Sequence, residues 1–111
     1  MTPRWILTAL VLCWLGSVSA HAETIQVTID KLVFSPTEVN AKVGDTIVWN
    51  NKDILAHTAT AGNKDWDVMI GSKQTASLVL KTAGSIDYFC KFHPNMKGRV
   101  VVAPQSGVGL F

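Results

Sequence analysis

The sequence predicts an all-β protein, an antiparallel Greek-key β-sandwich. Three observations carry that expectation. Apolar and polar residues alternate with period two in the most regular stretch, and the runs that follow are short, rich in β-branched and aromatic residues and separated by turn formers. No segment of the 111 residues carries a convincing helical period.

The first strand is expected over Thr24–Asp30, where apolar Ile25, Val27 and Ile29 alternate with Thr24, Gln26, Thr28 and Asp30. Ser35-Pro36 then separates short runs at 32–34 and 38–41, because proline cannot donate to a ladder. Val43-Gly44-Asp45 turns the chain into a strand at 46–51, and residues 76–80, 85–89 and 99–103 continue the pattern, with Thr82-Ala83-Gly84 as a turn. Residues 53–72 are the least regular, with loops expected at Asn63-Lys64-Asp65 and Gly71-Ser72 and room for a short helix.

The N-terminus reads as an address rather than as fold. Arg4 supplies a positive charge, residues 5–15 are apolar, and Ser19-Ala20-His21-Ala22 ends in the small-x-small pattern of a signal peptidase site. Residues 1–22 are therefore expected to be a signal peptide and 23–111 a single domain, placed in the periplasm. An apolar stretch of 11 residues is too short for the roughly 20 that span a bilayer as a helix. Cys13 as a lipid anchor is disfavoured by the bulky Leu12 before it.

Removing residues 1–22 takes Arg4 with it and brings the formal net charge from +2 to about +1. No concentrated basic face results, so neither nucleic acid nor an anionic membrane is an expected partner. The domain is small, and at about 90 residues a metal or cross-link is a useful stabiliser. Of the two cysteines only Cys90 remains, so no internal disulfide can form. A lone cysteine in an exported chain needs another explanation: an intermolecular bridge, a reactive thiol or a metal-bound thiolate.

Cys90 opens the run Cys90-Lys91-Phe92-His93-Pro94-Asn95-Met96, which places a thiol, an imidazole and a thioether three residues apart. His57 lies just after an expected strand, where a sandwich can bring its loop to the same end. Two imidazoles, one thiolate and a weak axial thioether form the ligand field of blue copper. Thiolate and imidazole serve both copper oxidation states, so the geometry changes little on reduction. Pro94 stiffens the loop, and Phe89 and Phe92 are expected to wall the site from water.

These residues resemble the cupredoxins, the small blue copper proteins. The similarity extends over Phe34-Ser35-Pro36, Val43-Gly44-Asp45-Thr46-Ile47-Val48-Trp49, Asn50-Asn51, Ala56-His57-Thr58, Tyr88-Phe89-Cys90 and Met96-Lys97-Gly98. The short Cys-x-x-His-x-x-Met spacing looks amicyanin-like, whereas the plastocyanin-like form has a longer gap between His and Met. Two positions depart from that pattern: Thr58 follows the upstream histidine where Asn is frequent, and Lys91 follows the cysteine where a small hydroxyl residue is usual.

The resemblance implies one type 1 copper ion per chain, held by His57, Cys90, His93 and Met96. It implies a monomeric one-electron carrier, not an enzyme, between a donor dehydrogenase or other redox enzyme and an acceptor such as a c-type cytochrome. Partners are expected to dock around His93, Pro94 and Asn95. The alternative is copper transport or buffering by the same ligands. An oxidative copper enzyme would require cleavage after Ala20, with His21 as the new N-terminus.

Met69, the rival thioether, is expected to pack in the core, and Trp49 and Trp66 are expected to be core or edge aromatics rather than relay residues. Lys91, Lys97 and Arg99 flank the Cys90 loop, and Lys52 and Lys64 are candidates for the same end. They read as a solvated surface, or else as a ring that steers an acidic partner.

Overall fold

The computed structural model describes residues 21–105. Apart from His21 and Ala22, which are exposed, the expected signal peptide lies outside the described residues, as does the tail at 106–111. Among the described residues nine strands form two sheets: β1 (Thr24–Asp30), β2 (Val33–Ser35), β3 (Glu38–Lys42), β4 (Thr46–Asn51), β5 (His57–Ala61), β6 (Asp67–Ile70), β7 (Thr75–Val79), β8 (Gly84–Cys90) and β9 (His93–Ala103). One sheet has the order β2-β1-β4-β7 and the other β3-β9-β8-β5-β6.

The all-β sandwich is as expected, but it is mixed rather than wholly antiparallel. β1 runs parallel to β4, pairing Thr24 with Thr46 and Ile29 with Asn51, and β3 runs parallel to β9. The chain leaves the first sheet after β2, forms β3 in the second, and returns through the Val43-Gly44-Asp45 turn, where Gly44 has φ 100°. Returning in the same direction, β4 falls parallel beside β1. Asp45 holds this return: its carboxylate accepts the N–H of Glu23 at 2.9 Å and of Lys42 at 2.9 Å. Burial alone would raise its pKa, but these two N–H groups and the Lys42 ammonium hold it below the usual carboxylate value.

Residues 53–72 contain no helix. They form the antiparallel β5–β6 hairpin, with His57 opposite Ile70 and Thr60 opposite Asp67. Its turn is fastened by Asn63, whose side-chain oxygen accepts the Asp65 N–H at 2.9 Å. β9 also starts earlier than expected, at His93 instead of 99, and pairs back to Cys90.

The core between the sheets is built on Trp49, Tyr88, Phe34, Ile29 and Ile47. Trp49 Nε1 donates to the Tyr88 hydroxyl at 3.2 Å, and Phe34 meets the Tyr88 ring edge-on at a 4.7 Å centroid distance. Burial pushes the Tyr88 phenol up to about 12, although the Trp49 donor partly opposes it. Trp49 is fully buried as expected; Trp66 is half-buried and packs its ring on Trp49 and Tyr88 at the core's edge.

Candidate metal centre

The antiparallel pairing of β8 with β5 and with β9 gathers the start of β5, the end of β8 and the start of β9 at one end of the sandwich. Those three ends are His57, Cys90 and His93. His57 and Cys90 are fully buried and His93 is half-buried. Met96, three residues along β9, faces inward and is buried in the core.

Cys90 Sγ lies 3.6 Å from His57 Nδ1 and 3.7 Å from His93 Nδ1. The three candidate ligand atoms all lie within 4.8 Å of one another. Bonds of about 2.0 Å to nitrogen and about 2.3 Å to sulfur, meeting at a trigonal angle, would separate N from S by about 3.7 Å. The donor atoms are thus already spaced for one ion between them.

The tautomer of His57 is set from outside. Its Nε2 lies 2.8 Å from Asp53 Oδ2. An ionised carboxylate only accepts, so Nε2 carries the proton and Nδ1 keeps its lone pair toward Cys90. Burial would raise the Asp53 pKa, but the Leu32 N–H, the His57 side chain and the Lys31 N–H together bring it below its ordinary value. Through those N–H bonds, of 2.7 Å to Lys31 and 3.0 Å to Leu32, Asp53 also fastens the β1–β2 turn, where both residues have positive φ. The thiol sulfur accepts the Thr58 N–H at 3.3 Å.

Of the four residues named from the sequence, His57, Cys90 and His93 are brought together, and Met96 is buried on β9 three residues beyond His93. Asp53 was not among them: nothing in an irregular stretch marks an acid four residues before a histidine as its partner. The surroundings require corrections. Met69 is 58% exposed on β6 and does not pack in the core. Phe92 is 52% exposed and does not wall the site, whereas Phe89 is half-buried. Lys64 lies in the β5–β6 turn, at the far end of β5 from His57, and Arg99 is paired along the sheet with Asp87 at 2.7 Å. Pro94 and Asn95 are exposed beside His93.

A β-sandwich with His, Cys and His collected at one end, and Met three residues beyond, defines the class, a small blue copper protein that carries electrons and binds one type 1 copper ion. Residues 4–102 match the cupredoxin-like domain, and the chain belongs to that family. It is 37% identical over 89 residues to amicyanin-alpha of Methylorubrum extorquens, covering 75% of this chain and 75% of that protein. Amicyanin of Paracoccus versutus is 33% identical over 93 residues, covering 78% and 70%. Among solved structures, that of the Paracoccus versutus amicyanin matches with a TM-score of 0.62 and 34% identity, covering 78% of this chain and 85% of that one. An amicyanin variant in its reduced Cu(I) form matches with a TM-score of 0.64 and 36% identity, covering 78% and 86%. Cupredoxins are electron-transfer proteins and not enzymes.

Proposed function

We propose that the protein is a monomeric periplasmic electron carrier, exported by residues 1–22 and working as the domain 23–111, with His57, Cys90, His93 and Met96 as its copper ligands. The observation that carries this reading is the spacing of the three donor atoms, 3.6 and 3.7 Å from sulfur to each imidazole nitrogen.

Copper supplies a one-electron couple at this site; the protein supplies rigidity and a route. Three of the ligands sit at strand ends and Met96 within a strand, so they cannot relax far when the charge on the ion changes. Cys90 and His57 are sealed from water, which favours small reorganisation. His93 alone of the four reaches partway to the surface, and electrons would pass through its ring edge. Pro94 and Asn95 border it and would meet the donor, a dehydrogenase or other redox enzyme, and the acceptor, such as a c-type cytochrome. No helix among the described residues is long and apolar enough to cross a membrane.

Voltammetry of the copper-loaded protein in the presence of a competing chelator tests the role. A reversible one-electron wave that persists unchanged for hours is expected of a carrier. Rapid loss of copper to the chelator would favour the other reading, transport or buffering, for which exchange is the function.

A further inference from the structure

We propose that Lys91 and Asp67 form a latch over the thiolate side of the metal site and act as positioning residues for electron transfer; this rests on the copper reading above.

Four hydrogen bonds close a ring there. The Lys91 N–H donates to Thr58 Oγ1 at 2.8 Å, and Thr58 Oγ1 lies 2.9 Å from Thr60 Oγ1. Thr60 Oγ1 donates to Asp67 Oδ1 at 2.8 Å, and Lys91 Nζ donates to Asp67 Oδ2 at 2.6 Å. Because the carboxylate can only accept, every hydroxyl has one orientation: Thr60 gives its proton to Asp67, so Thr58 gives its own to Thr60 and accepts from Lys91. Aligned donors polarise one another and stiffen the chain.

The ring lies against the sulfur. Thr58 alternates with inward-facing His57 and Ala59, so its side chain points to the outer face of the sheet, yet it is fully buried. Lys91 starts at Thr58, where its N–H is bonded, and ends at Asp67, which Thr60 also holds. Its aliphatic stem must therefore cross the two threonines and cover them. The Thr58 residue covered in this way is the one whose N–H donates to Cys90 Sγ. The Arg99–Asp87 pair on β9 and β8 is equally short at 2.7 Å, but no further bond continues from it toward the ligands. Both pairs are exposed, with side chains 47% and 50% accessible in Lys91–Asp67 and 49% and 71% in Arg99–Asp87, and such pairs alone are usually worth little, so the second is an internal control for the bonds that continue from the first.

The latch and a simple charge effect predict different signs. With a thiolate bound, the oxidised site carries one more positive charge than the reduced site, so water admitted beside sulfur favours the oxidised form and lowers the potential. Opening the latch from either side, by Asp67→Asn or Lys91→Met, should lower it. Through-space charge alone gives opposite shifts, upward on losing the Asp67 carboxylate and downward on losing the Lys91 ammonium.

The test uses these two variants, their double, Lys91→Arg, and Arg99→Met as control. In the metal-free protein, amide hydrogen exchange at Thr58 and alkylation of Cys90 by iodoacetamide are expected to quicken several-fold in each single variant. No further increase is expected in the double variant, Lys91→Arg should restore the wild-type rates, and Arg99→Met should leave them unchanged. In the copper-loaded protein both singles should lower the potential. Opposite potential shifts, additive effects in the double, or exchange rates like those of the control would overturn the latch. A wild type that forms no thiolate-copper site would instead sink the copper reading, while the metal-free measurements would still decide whether the latch exists.

Discussion

Gly98→Ala is expected to destabilise the metal-free protein by about 3 kcal/mol, the upper end of what overpacking usually costs, and to lower Tm by roughly 10–20 °C. A Cβ at this position would lie 2.5 Å from Cζ, 2.6 Å from the hydroxyl oxygen and 2.7 Å from Cε1 of Tyr88. The ring has no room to withdraw. It is wedged among Phe34, Trp66 and Trp49 at centroid distances of 4.7, 5.6 and 5.7 Å, and its hydroxyl is bonded to Trp49. The strain must then pass into β9, which carries Met96 two residues earlier. Thermal unfolding checks this, and a variant melting within about 2 °C of wild type would show that the aromatic cluster yields more easily than its packing implies.

Asn51→Ala should damage both the fold and the metal site. Asn51 is buried at the end of β4, where its Nδ2 donates to the carbonyl oxygens of Leu55 at 2.9 Å and Gly71 at 3.0 Å, and its Oδ1 accepts the Asp53 N–H at 2.9 Å. One side chain thus joins the β4–β5 loop to the end of β6. Losing three bonds and leaving their partners poorly satisfied should cost about 2–4 kcal/mol. The loop it fixes carries Asp53, which orients His57, so copper affinity should fall by about tenfold or more. Denaturant unfolding of the metal-free form and a copper competition assay measure the two effects separately. Lost stability with unchanged affinity would mean that Asp53 holds His57 without help from Asn51.

Much of this architecture was legible in the residues, and the gaps have physical causes. Thr24–Asp30 alternates because one face of β1 meets the core, and the strand at 46–51 was found with its full bounds. β5 escaped because the residues alternating with Thr58 and Thr60 are the small Ala59 and Ala61, which give little apolar signal and are poor strand formers, although both are buried. The parallel pairings escaped because strand direction depends on which sheet the chain enters after Ser35-Pro36, a matter of connection and not of local pattern. The four candidate ligands were legible because three lie within seven residues. Asp53 was not, since its bond to His57 depends on a loop conformation that no local pattern announces, and Thr60 and Asp67 were not, since theirs crosses between strands that only the fold pairs. Thr58 and Lys91 stood out as departures from the family pattern, and in the structure they bond to each other.

Electron transfer at this site depends most directly on Cys90 as a copper-bound thiolate. The visible absorption spectrum of the purified protein with one equivalent of Cu(II), measured beside Cys90→Ser, tests it. An intense blue band in the first sample and none in the second is the predicted result. A colourless wild type, or an equally strong band in Cys90→Ser, would contradict the site and remove the electron-carrier reading with it.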